Sequence, residues 1–102
     1  MESIEKIASA MNDKTRILIV AFLAEHGTSC VCELEESLGL FQSRISRHLK
    51  ILKEGGFVVD SREGKWVHYT LTCKDPIQKA FLITIKKNAP VLPVKIERNK
   101  DV

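Results

Sequence analysis

The stretch SCVCELEESLGLFQSRISRHLKILKEGGFVVDSREGKWVHYTL, residues 29–71, decides the fold, because its apolar period changes once along its length. Up to Glu54 the apolar side chains recur every three to four positions, as on a helix face; after Gly55-Gly56 they alternate, as on a strand. Gly39 stops a helix that starts near Cys30, and Gly39-Leu40-Phe41 forms a short turn into a second helix over about 42–54. The alternating part, FVVDSR followed by KWVHYTL, reads as two strands around a tight turn at Glu63-Gly64.

Outward from this stretch the pattern is helical again. Before it, Ile4, Ile7, Ala8 and Met11 fall at i, i+3, i+4 and i+7 of an amphipathic helix over 3–11. Asn12 or Asp13 is placed to cap a second helix, TRILIVAFLAEH, which is apolar nearly all round and ends at Gly27. That helix is the expected centre of the core. The segment 28–31 is short and β-leaning. After the hairpin, Asp75-Pro76 opens a fifth helix with Ile77, Ala80, Phe81 and Thr84 along one face. The prolines after Ala89 exclude a helix there. The expected architecture is mostly α with a small β-hairpin wing, in the order α-α-β-α-α-β-β-α: a winged helix–turn–helix. The expected organisation is one winged helix–turn–helix domain over 1–88 and a Pro-containing tail over 89–102.

Composition narrows the function classes. The 102 residues are 44% hydrophobic, enough for one small globular core. The longest apolar run, Ile17 to Ala24, is far short of the roughly 18 residues that span a bilayer, so no membrane partner is expected. The acidic, amphipathic N-terminus lacks the features of a signal peptide, which points to the cytoplasm and to three reduced cysteines. Charge is unevenly distributed. Residues 1–39 carry three basic and seven acidic side chains, residues 40–74 seven and three, and residues 75–102 six and three. A basic middle segment beside an acidic one suits a polyanion partner.

The second helix of the helix–turn–helix has two faces. Ile45, Leu49 and Leu52 form an apolar one. Ser43, Ser46, Arg47 and Lys50 form the other, with Gln42 and Arg44 at its N-terminal end. Arginine can bridge guanine O6 and N7, glutamine adenine N6 and N7, and small hydroxyls permit close approach to phosphates. Arg62 and Lys65 flank the hairpin tip, where a wing meets phosphates or the minor groove. Trp66 and Tyr69 read as packing residues, and His48 as a packing or phosphate-contacting one.

These motifs resemble the core of the ArsR/SmtB family of metal-responsive repressors, over roughly residues 13–72. The family pattern Cys-Val-Cys-[Asp/Glu]-Leu is matched by Cys30 to Leu34. The recognition-helix pattern is matched by Ser43 to Leu52, Gly-[Leu/Phe]-Val by Gly56 to Val58, and Arg-x-Gly-[Arg/Lys]-x-x-x-Tyr-x-Leu by Arg62 to Leu71. The resemblance implies a homodimer joined through its first and last helices. It also implies binding to an inverted repeat in double-stranded operator DNA, and release when metal binds. Carried over residue by residue, the DNA-contacting positions are Gln42, Ser43, Arg44, Ser46, Arg47, His48, Arg62 and Lys65.

Cys30 and Cys32 are the candidate sensor. Two thiols at i and i+2 point the same way on a strand but about 200° apart in an ideal helix. They converge on one ion only at a strand–helix junction or in a distorted first turn. The start of the third helix is such a junction, and its positive end favours thiolate. Soft thiolates select soft centres, and arsenite or antimonite takes three sulfurs in a pyramid. Where the arsenic-sensing branch of the family often carries a third cysteine, this chain has Glu35. Cys73, at the end of the second wing strand, is then the candidate third ligand. The same thiols also suit a redox sensor or a zinc- or cadmium-responsive repressor. A small thiol enzyme such as an arsenate reductase is disfavoured, since there is no glycine-rich phosphate cradle.

Overall fold

The computed structural model describes residues 3–88 and 92–97. Its elements are α1 (Ile4–Met11), α2 (Lys14–His26), β1 (Ser29–Cys30), α3 (Val31–Leu38), α4 (Gln42–Glu54), β2 (Val58–Glu63), β3 (Trp66–Leu71) and α5 (Pro76–Lys87). Order and type agree with the expected winged helix–turn–helix. The sheet is antiparallel, with β3 between β1 and β2.

Local chemistry sets the helix starts. The Ser3 side chain accepts from the Lys6 amide, and Asp13 accepts from those of Thr15 and Arg16. Asp75 accepts from Ile77, while Gln78 reaches back to the Asp75 amide. Each cap satisfies an amide that the helix itself cannot. Gly39 ends α3 in the left-handed conformation (φ +67°, ψ +34°), where a Cβ would be strained. Glu63 pairs with Trp66, so the hairpin loop is Gly64-Lys65, one residue later than expected, with Gly64 at φ +63°.

The core gathers Ile19, Val20, Phe22 and Leu23 of α2 with Leu34 of α3, Ile45, Leu49 and Leu52 of α4, and Phe57 and Val58 leading into the wing. α2 is the central helix, as its all-round apolar character requires. Two faces differ from expectation. On α1 the buried residues are Ile7, Ala10 and Met11, while Ile4 is 61% exposed and Ala8 is exposed. On α5 the inward residues are Ile77, Gln78, Phe81, Leu82 and Ile85, while Ala80 and Thr84 face solvent. Gln78 is the reason for the second shift. Its Nε2 donates to the Gly55 carbonyl at 2.6 Å, and its Oε1 accepts from the Lys74 and Asp75 amides at 3.1 Å. A fully bonded polar side chain thus occupies a core position and rotates the helix toward it.

Gly55 is a close-approach site. A Cβ there would meet the Ala10 Cβ and the Lys6 carbonyl oxygen at 3.0 Å. The end of α4 therefore touches α1 on one side and α5 on the other. Of the expected tail over 89–102, residues 92–97 return along α3; the others lie outside the described residues. The Ile96 amide donates to Ser37 Oγ at 2.8 Å, and Lys95 Nζ donates to the Thr28 carbonyl at 3.0 Å. Lys95 also lies 3.8 Å from Glu33 Oε1.

Candidate nucleic-acid interface and thiol site

α4 divides as its periodicity requires. Ile45, Leu49 and Leu52 are buried, whereas Gln42, Ser43, Arg44, Ser46, Arg47 and Lys50 are exposed. Arg62 and Lys65 are exposed on the wing, with Lys65 Nζ 5.4 Å from the centre of the Trp66 ring. Lys53 Nζ meets Asp60 Oδ1 at 2.9 Å and ties the last turn of α4 to β2. This surface pair fixes orientation more than it stabilises. Tyr69 packs on the core, as expected of it.

His48 departs from its neighbours. It is half-buried, and its Nδ1 lies 3.1 Å from Arg16 Nη1. A guanidinium can only donate, so Nδ1 accepts and the ring proton sits on Nε2. Burial lowers the His48 pKa, and the Arg16, Arg44 and Arg47 charges lower it further against the opposing pull of Asp13. Arg16 is itself buried. Its Nε donates to the Ala10 carbonyl at 2.9 Å and its Nη2 to the Ser9 carbonyl at 3.0 Å. The end of α1, the start of α2 and the middle of α4 are thereby joined by one side chain. Nothing in the periodicity of α2 singles out Arg16, a charge in the first turn just ahead of the apolar run that starts at Ile17.

The thiol pair sits at the strand–helix junction. Cys30 is the N-cap of α3 in extended conformation (φ −80°, ψ 162°), and Cys32 lies in the first turn. Cys30 Sγ accepts from the Glu33 amide at 3.3 Å, and Glu33 Oε1 accepts from the Cys30 amide at 2.9 Å. Cysteine thus fills the place that serine or threonine takes in a capping box. Contrary to the expectation of free thiols, Cys30 and Cys32 are joined in a disulfide. The physical reason is the junction. With Cys30 extended, the two Cβ directions converge, and the Cα atoms are 5.4 Å apart, inside the range a disulfide bridges.

Cys73 does not join them within the chain. β1 pairs with β3 through Ser29–Tyr69 and Cys30–His68, so the residue opposite Cys30 is His68. Cys73 follows five residues later, roughly 16 Å along an extended chain. There its Sγ lies 3.9 Å from the Phe57 carbonyl, and burial pushes its pKa up. Among the described residues, no three His, Cys, Asp or Glu side chains are grouped to hold a metal ion.

The model of the bacterial regulatory protein, arsR family, matches residues 13–59. Over 98 residues the chain is 33% identical to an arsenic resistance transcriptional regulator of Pseudomonas putida, covering 94% of this chain and 85% of that one. The chain belongs to the arsR family. It is also 46% identical over 71 residues to the arsenical resistance operon repressor of Escherichia coli, a match covering 70% of this chain and 61% of that protein. The chain thus spans less than two thirds of the length of that relative. In three dimensions it resembles the homodimeric winged helix–turn–helix DNA-binding domain of a Mycobacterium bovis protein. That match has a TM-score of 0.70 at 26% identity and covers 83% of this chain and 78% of that one. No helix among the described residues is long and apolar enough to cross a membrane.

Proposed function

We propose that this chain is a cytoplasmic transcriptional repressor that binds an inverted-repeat operator as a homodimer and leaves it when arsenite or antimonite binds Cys30 and Cys32. Gln42, Ser43, Arg44, Ser46, Arg47 and His48 read and grip the DNA from α4, and Arg62 and Lys65 grip it from the wing. The observation that carries the reading is the position of the thiol pair. α3 packs against α4, and β1 pairs with β3 of the wing. A change at Cys30 therefore reaches both DNA-contacting elements. The arsenical repressors among the relatives favour a trivalent metalloid as inducer.

Arsenite reacts with the reduced pair. Two thiols replace two hydroxyls of As(OH)₃, forming two As–S bonds and releasing two waters. The third arsenic position keeps hydroxide or takes a thiol from solution or from the partner subunit, since Cys73 lies elsewhere. Holding arsenic between two sulfurs constrains the first turn of α3. If the DNA-bound form favours the unconstrained turn, each ligand lowers the affinity of the other.

The disulfide supports a second reading, a redox sensor. Peroxide would oxidise the two thiols to the disulfide and be reduced to two waters, with the same geometric consequence for α3. Anisotropy titration of reduced protein on the DNA upstream of its own gene separates the readings. Under the first, arsenite or antimonite releases the duplex about 5–150-fold, zinc and cadmium do not, and Cys30→Ser or Cys32→Ser abolishes the response. Release by peroxide alone supports the second. Normal arsenite release from both serine variants overturns the sensor assignment.

A further inference from the structure

We propose that Phe41 is a specificity-determining residue that packs its ring against the 5-methyl group of a thymine in the operator half-site. The inference rests on α4 being the DNA-reading helix.

Phe41 breaks two local rules at once. It occupies the N-cap of α4, with extended backbone (φ −69°, ψ 148°) and a carbonyl that accepts from the Arg44 and Ile45 amides at 3.1 Å. Its side chain makes no cap hydrogen bond. The other four helices are each capped by a side chain: Ser3, Asp13, Cys30 and Asp75. α4 alone gives that up, and an apolar residue at this position is among the least favourable choices. The ring is also 79% exposed. Neither helix stability nor core packing accounts for a phenylalanine here, and such conflicts with local preference concentrate at functional positions.

The surroundings narrow what meets the ring. The turn is anchored by Leu40, which packs on the core and donates its amide to the Glu35 carbonyl at 3.2 Å. Leu40 faces in and Phe41 faces out. Among the described residues, the other large exposed apolar ones, Ile4, Val59, Ile83, Val94 and Ile96, lie on α1, β2, α5 and the 92–97 segment. Phe41 instead adjoins Gln42, Ser43 and Arg44, at the end of a recognition helix that meets base edges. A second copy docking here would bring a second Arg44 and Arg47 against the first, like charge on like. DNA brings the opposite charge. In the major groove the thymine methyl is the one bulky apolar group on a base edge, cytosine offering only a C5–H at that place, and an aromatic side chain is one of its known partners.

The experiment replaces each thymine with deoxyuridine, which removes only the methyl, in the highest-affinity duplex the protein selects from a randomised pool. One thymine per half-site should weaken wild-type binding about 4-fold when replaced, and both together about 15-fold, the value of one buried methyl each. Phe41→Ser and Phe41→Ala should bind the thymine and deoxyuridine duplexes alike. Val94→Ala, an exposed position on the 92–97 segment away from α4, should keep the discrimination. Phe41→Ser should also raise Tm by about 4–8 °C, because it restores a cap. The proposal is overturned if no deoxyuridine position separates wild type from the Phe41 variants, or if the selected half-site holds no thymine. It is also overturned if Phe41→Ser changes only the sedimentation behaviour. Arg47→Ala tells the two failures apart. If it weakens binding while deoxyuridine has no effect, only the Phe41 assignment falls. If it leaves affinity unchanged, α4 is not the reader and both fall.

Discussion

Arg16 and His48 show how one residue can carry a constraint that its element does not reveal. The guanidinium spends its donors on two α1 carbonyls and on His48 Nδ1. Protonating His48 would put a hydrogen on Nδ1 facing an Arg16 donor. The depressed folded pKa means that the unfolded chain takes up this proton first. Its contribution to stability is therefore full above the ordinary histidine range and is lost as pH falls below about 6.5. Urea midpoints should drop between pH 7.5 and 5.5, and the drop should be smaller in His48→Asn, whose Oδ1 can accept from Arg16 without titrating. Equal drops would place the pH dependence elsewhere. At the residues proposed to contact DNA the expected effects differ by contact type. Gln42→Ala and Arg47→Ala should lower operator affinity and relax base preference by about 1–3 kcal/mol, whereas Lys65→Ala should weaken all duplexes alike and reduce the salt slope by about one. Salt-dependent binding isotherms on operator and scrambled duplexes separate the two.

Among the elements, α4 is held by both of its ends. Its N-terminus continues from the turn anchored by Leu40. Its C-terminus runs into Gly55, pressed against α1 and bonded through its carbonyl to Gln78 of α5. Gly55→Ala would force the α1 backbone away, since a carbonyl oxygen, unlike a long side chain, cannot step aside. A loss of about 1–3 kcal/mol is expected in chemical denaturation. Operator affinity should fall further than stability explains, because α1 and α4 shift relative to each other. α3 is the element on which chemistry acts. Its first turn contains Cys32, its cap is Cys30 itself, and Lys95 from the returning segment approaches the capping carboxylate of Glu33.

For the whole molecule, the apolar side chains left outside the core matter most. Ile4 on α1 is 61% exposed and Ile83 on α5 is 54% exposed, on the two helices that the family resemblance assigns to dimerisation. A small domain gains from covering such residues. Sedimentation at micromolar concentration should show a dimer, and Ile4→Glu with Ile83→Glu should shift it toward monomer. Operator affinity should fall with it, because two recognition helices about 34–36 Å apart can grip an inverted repeat only when joined. A monomer that still binds tightly would contradict the arrangement.

Local and periodic features were legible in the chain: the five helices, the Gly39 stop, the hairpin and the two faces of α4. Each depends on interactions within a few residues or on a repeat that the backbone imposes. The junction that lets Cys30 and Cys32 converge was legible for the same reason, from one extended residue against one helical turn. What only the tertiary structure decided depends on register and on contacts between distant segments. The pairing of Cys30 with His68 set Cys73 apart from the thiol pair, although all three are cysteines of one small domain. The Gln78 amide turned α5, and Arg16 was drawn into a network spanning α1, α2 and α4. A strand's neighbours are fixed by which hydrogen bonds close across the sheet, and a buried polar group's position by where its donors find acceptors. Neither quantity has a period along the chain.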